Sequence, residues 1–341
     1  MKLKVILLLS IAINIILAND KLKIVTTLTT YADITRQIGG DYVDVEHIVS
    51  GDQDAHFVRP RPSYAVLLNK ADLFVTTGLD LELWAPTLVD MAKNNQIRSG
   101  QPGYVAAYQG IELLEKPATL SRSEGDIHLY GNPHITNSPI AIKTIAENIA
   151  SGLIKNKSAQ KDYFYRNLEK LKNNIDERLF GAELVQIMGS QLLTKLAVSG
   201  KLIPFLEEKT FQGKPMIAFL GGWLKQGMSF RGKKIVAYHK NWSYFERIFG
   251  IHIIGFVEPK PGIPPSPKHI EQLTADMREN DVKVVLAANY FDENKVRNIC
   301  ERVNAQAVIV PMYVDGAPGT NSIYQLFDLW INSLEKAYSQ N

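Results

Sequence analysis

Residues 22–49 read LKIVTTLTTYADITRQIGGDYVDVEHIV, and three segments of different pattern succeed one another within them. LKIVTT is apolar and β-branched, the composition of a strand. TYADITRQI follows as a short helix, closed by Gly39-Gly40, because glycine ends a helix without a Cβ clash. VDVEHIV then alternates apolar and polar side chains, the period of a second strand. Strand, helix and strand in so short a span predict the βαβ unit of a parallel sheet.

The rhythm continues outward. Pro62 and Ser63 open a helix, ADLFVTTG reads as a third strand, and LELWAPTLVDMAKN as the helix after it. Residues 139–180 break the alternation. SPIAIKTIAENIASGLIK predicts one long helix, and the charged stretch from Ser158 to Leu179 a second, a rigid connector with a solvated face. Residues 181–232, rich in Gly, Leu and Lys, predict short helices. The βα pattern then returns: strand KKIVAYH, helix NWSYFERIFG, strand IHIIGFVE, and a helix opening at Pro267. VKVVLAANY, DENKVRNICERV and AQAVIVP repeat it, and NSIYQLFDLWINSLEKAY closes the chain as an amphipathic helix. The expected fold class is α/β, with two βα lobes (residues 19–157 and 191–341) on parallel sheets, joined by a long helix within residues 158–190. Ligands of such folds lie outside the carboxyl ends of strands, and two lobes offer the cleft between them.

Composition narrows the function classes. The chain has 341 residues, 45% hydrophobic and 21% charged, the proportions of a globular protein. Its 38 basic and 35 acidic side chains leave +3, too small and too evenly mixed for a nucleic-acid surface. A single cysteine, Cys300, excludes internal disulfides and a thiolate metal cage. At the start, Lys2 and Lys4 precede an apolar run from Val5 to Leu17, shorter than the roughly 20 residues that span a bilayer. That pattern predicts a secretory signal over residues 1–18, cut after Ala18, although Ile16 is bulky for the third position back. No cysteine follows it, so no lipid anchor is expected; the mature protein reads as exported, soluble and monomeric.

Phosphate-binding, dinucleotide, zinc-protease and nucleophile-elbow motifs are all missing. Seven histidines remain, unevenly placed. His56, His134 and His239 each occupy a turn after a strand or before a helix, whereas His47 and His252 fall inside strands and His269 on a wet helix face. Three imidazoles with one oxygen make a tetrahedral zinc set. Two of the three come from the first lobe and one from the second, so a metal there would tie the lobes together. Trp84, Trp223, Trp242 and Trp330 lie among apolar residues and read as packing, as do Phe245 and Phe249 at helical spacing from Trp242.

At these positions the sequence resembles a known family. GDQDAH followed by PRPS, GNPH followed by SP, and VAYHKNWSYFERIFG resemble the three histidine motifs of zinc/manganese-binding receptors of ABC importers. VEPKPGIPPSPKHI, KVVLAANYF and APGTNSIYQLFDLW resemble the zinc-type branch of that group. The likeness covers nearly the whole chain after the signal. It implies His56, His134 and His239 as ligands of Zn2+ (or Mn2+), in a periplasmic receptor that is no enzyme and delivers its metal to a membrane permease. The family's fourth ligand is usually a carboxylate in a stretch similar to P-G-T-D. Here the matching residue is Asn321, in PGTNS, a neutral and weaker oxygen. The fourth position is therefore Asn321, water or a nearby carboxylate such as Asp315. His128, the only histidine in residues 115–130, is a reserve candidate that reads as an exposed loop residue. Glu258, among prolines, reads as part of a stiff loop at the cleft mouth. Two other readings stay open: a metal-dependent hydrolase, for which Asp54 is the acidic residue fixed near a histidine, and an exported adhesin or metal chaperone.

Overall fold

The computed structural model describes residues 21–116, 128–260 and 262–339, so the expected signal lies outside the described residues. Four strands form the first sheet: β1 (Leu22–Leu28), β2 (Val43–Val49), β3 (Leu73–Thr76) and β4 (Tyr104–Ala106). Their order is β2-β1-β3-β4, parallel throughout. A small antiparallel hairpin follows, β5 (Thr210–Phe211) with β6 (Lys214–Pro215). The second sheet holds β7 (Lys234–Ala237), β8 (His252–Phe256), β9 (Val284–Ala288) and β10 (Gln306–Val310). It is also parallel, in the order β10-β9-β7-β8. The α/β architecture expected from residues 22–49 is present twice.

Burial explains the strand patterns. In β1 every residue except Lys23 is buried, as the central position of a helix-covered sheet requires. β2, at the sheet edge, exposes Asp44 and Glu46 and buries Val43 and Val45. β9 is buried along its full length and reads VVLAA. All four tryptophans are buried, as expected.

One long helix, preceded by a second that packs on the first sheet's side, lies between the halves. Ser138 caps the helix Pro139–Asn156 by accepting from Ala141 N at 3.2 Å. The helix Lys161–Phe180 packs against Pro139–Asn156 and Thr29–Gly39 on the first-sheet side and against Gly222–Gly227 on the other. It ends at Gly181, and three short helices follow, Ala182–Met188, Ser190–Val198 and Leu202–Glu208. The hairpin of β5 and β6 within this stretch was not anticipated, nor was β4.

The halves also touch directly. Thr29 Oγ1 donates to Val314 O at 2.5 Å, and Ile323 N donates to Asp33 Oδ2 at 2.8 Å. A Cβ on Gly51 would sit 2.2 Å from Val314 O, so only glycine lets the chain that leads to His56 approach the second half so closely.

Candidate metal centre

His56 lies in the loop that leaves β2. Asp54 Oδ1 accepts from His56 N at 3.0 Å and from His56 Nδ1 at 2.7 Å, fixing both backbone and ring. Trp84 Nε1 pins the same loop by donating to Ala55 O at 2.7 Å. His134 is set by Asn132, whose Oδ1 accepts from His134 N at 2.9 Å. Asn132 Nδ2 in turn donates to Lys240 O at 2.8 Å, next to His239. One asparagine therefore registers the His134 turn against the His239 turn across the cleft.

His239 follows β7. Its Nδ1 donates to Glu258 Oε2 at 2.5 Å, and Gly262 N donates to Glu258 Oε1 at 2.9 Å. His128 closes the group from the first half, with Leu129 N anchored on Asp80 Oδ2 at 2.6 Å. One ring nitrogen from each of His56, His128, His134 and His239 lies within 4.8 Å of the others.

The electrostatics favour neutral rings at His128 and His134. His134 Nε2 and His239 Nε2 are buried with no hydrogen-bond partner among the described residues, and each such atom carries a desolvation cost if nothing binds it. Burial, reinforced by the neighbouring His56 and His239, pushes His134 well below the usual imidazole range and His128 down to about 3. Burial alone would raise Asp54, but the hydrogen bonds and charge of His56 outweigh it and hold the carboxylate low. Unprotonated nitrogens of His128 and His134 thus face the rings of His56 and His239, which are backed by carboxylates that orient them.

Comparison with known proteins decides the family. The family model described as ZnuA, zinc-uptake complex component A, periplasmic, matches residues 24–179 and 217–337. The chain belongs to the ZnuA family. Among its relatives is the manganese ABC transporter substrate-binding lipoprotein PsaA of Streptococcus pneumoniae, 24% identical over 84% of this chain and 78% of the relative. The zinc-binding lipoprotein AdcA of Streptococcus pneumoniae serotype 4 is 22% identical over 85% of this chain but only 49% of the relative. The crystal structure of ZnuA superposes with a TM-score of 0.64 at 20% identity, over 94% of this chain and 98% of that one. At that identity the likeness shows a shared fold.

The structure places His56, His134 and His239 close together, with His128 as a fourth ring beside them. Asn321, expected at the fourth position, is exposed instead. Asp315 is exposed as well and does not join the histidine group. The backbone hydrogen bond from Asp315 N to Thr320 O and the bond from Ile323 N to Asp33 direct this loop onto the helix Thr29–Gly39. His128 is half-buried rather than exposed, because its turn folds back over Asp80. Glu258 was missed as a partner of His239. His269 Nε2 donates to Phe256 O in its own lobe at 2.9 Å, and His252 is exposed; neither reaches the group.

Proposed function

We propose that this chain is an extracytoplasmic receptor that captures zinc at His56, His128, His134 and His239 and passes it to the permease of an ABC importer. The observation that carries the reading is the pair of buried, unpartnered Nε2 atoms of His134 and His239 inside a group of four imidazoles. Four neutral nitrogens suit zinc, whereas manganese prefers oxygen donors. Asp54 and Glu258 supply two negative charges one bond removed from the site, balancing a divalent ion without contacting it. Membership in the ZnuA family, and relatives named for substrate binding in manganese and zinc ABC transport, support the receptor role.

A hydrolase reading fares worse on the same geometry. Catalytic zinc keeps an open position and a base for its water. Here four imidazole nitrogens are enough to complete a four-coordinate zinc, and both adjacent carboxylates are engaged by imidazoles. Export rests on Lys2, Lys4 and the apolar run Val5 to Leu17. Among the described residues no helix is long and apolar enough to cross a membrane. The receptor works as a monomer, with the metal between its halves and the boundary of those halves in the helix Lys161–Phe180.

The test is direct competition between zinc and manganese for the metal-stripped mature chain. One zinc per chain is expected, held against a large excess of manganese. Copper or nickel is no substitute in this assay, because both bind nitrogen sites tightly whatever the cargo. Manganese binding as tight as zinc, or zinc binding undiminished in His134→Ala, would overturn the reading.

A further inference from the structure

The family model leaves residues 180–216 unmatched, between its two matched stretches. In the structure that stretch includes the helix Ser190–Val198, with Leu193 and Ala197 buried. The helix touches one element from each half. Thr194 Oγ1 accepts from Lys143 Nζ at 2.8 Å, and the same ammonium donates to Asp176 Oδ1 at 2.5 Å. Lys143 and Asp176 are both buried. At the other end of the helix, Val198 O accepts from Arg247 Nε at 3.0 Å. That carbonyl belongs to the last turn, where no helical N–H is available and a cation is favoured.

The two gripped residues occupy equivalent places. Lys143 stands one turn into the helix Pro139–Asn156, which follows the His134 turn. Arg247 stands one turn into the helix Ser243–Phe249, which follows the His239 turn. Between these helices lies a cavity of about 210 Å3, lined by Ser138, Ile140 and Thr144 on one side and Tyr244, Arg247 and Ile248 on the other. Val198 lines it too. Near the cleft the halves meet directly through Asn132 and Lys240; one turn deeper Arg247 Nη2 pairs with Glu112 Oε2 at 2.9 Å, and the helix Ser190–Val198 spans the rest of the space between them.

We infer that the helix Ser190–Val198 is a brace that fixes the spacing of the helices Pro139–Asn156 and Ser243–Phe249, which follow the His134 and His239 turns, and so slows release of the metal. Thr194, Lys143 and Arg247 are positioning residues, acting through the helices that follow the turns holding the imidazoles. The inference rests on the metal-centre reading above. Opening the cleft to release an ion must separate His134 from His239, and the brace holds both helices behind them. Metal entry needs no such separation to be completed, so the effect falls on release more than on capture.

The test uses the mature full chain, loaded with zinc and mixed rapidly with excess chelator. Thr194→Val removes the acceptor while keeping the shape, and Arg247→Met keeps most of the stem while removing the hydrogen bond to Val198 O; Glu112→Gln reports separately on the Arg247–Glu112 ion pair that Arg247→Met also removes, and should release zinc less fast than the double variant. The double variant loses two charged hydrogen bonds and is expected to release zinc roughly tenfold faster or more, at least the equivalent of one of them, with little change in the association rate. Arg247→Lys should recover part of the slow release. Ile331→Val, a mild core change in the C-terminal helix, serves as the stability control and should leave release unchanged. Wild-type release in the double variant overturns the brace, as does equal acceleration in Ile331→Val. A wild-type chain that holds no zinc at all would instead sink the metal-centre reading, and the brace with it.

Discussion

His239 and Glu258 stand side by side because Ala237 and Phe256 are paired in register where β7 runs parallel to β8. Two residues beyond each paired position, the imidazole Nδ1 meets the carboxylate Oε2 at 2.5 Å. Parallel pairing thus delivers a ready-made histidine–carboxylate couple to the carboxyl end of the second sheet. Glu258→Gln keeps the shape but removes the charge. It is expected to weaken zinc binding by about 10- to 100-fold, the usual effect of losing such a partner. Titration against a competing chelator measures it, and an unchanged affinity would remove Glu258 from the account.

His239→Ala should abolish most of the stabilisation that zinc confers. A ligand at a thousandfold excess over Kd adds roughly 4 kcal/mol to the native state. His239 is the one member of the histidine group that comes from the second half. Melting curves with zinc and with chelator, for wild type and variant, decide the matter; a full zinc shift in the variant would contradict the assignment.

Asn321→Asp is expected to leave both zinc and manganese affinities where they are. The family pattern that places an acidic residue here gives a position in sequence, not a direction in space. In this chain the side chain is exposed, and Ile323, two residues on, is tied to Asp33. Tighter manganese binding in this variant would return residue 321 to the metal.

Much of the fold was legible because apolar periods are long-range averages. β1, β2 and β9 each carry five to seven residues of consistent pattern. β4 escaped because three residues, Tyr104–Ala106, are too few to display a period. The histidines at strand ends were legible for the same reason the strands were. His128 was not, since its place depends on Leu129 reaching Asp80 and on Asn132 N donating to Leu114 O, contacts between segments that no spacing reveals. Glu258 did leave a signal. It stands two residues past β8, as His239 stands two past β7, and equal offsets in neighbouring parallel strands place side chains together.

The metal-free protein should lose stability as the medium is acidified below about pH 6.5, and His134 should account for a measurable share of the slope. Burial holds His134 neutral in the folded chain, well below the ordinary imidazole value. The unfolded chain takes up the proton near pH 6.5. Below that point the unfolded state binds more protons than the native one, so stability falls with pH, by about 1.4 kcal/mol per unit for one such group. The loss continues until the depressed native value is reached. His128, pushed down to about 3, acts in the same direction. Glu82 and Asp33 act oppositely, because burial raises both, so the total slope mixes signs. Comparing wild type with His134→Asn isolates the histidine: denaturant unfolding in chelator between pH 5 and 6.5 should show a shallower dependence in the variant. The absolute stability of the variant does not enter, only its slope. Parallel pH profiles for the two proteins would mean that His134 is not held neutral in the native state.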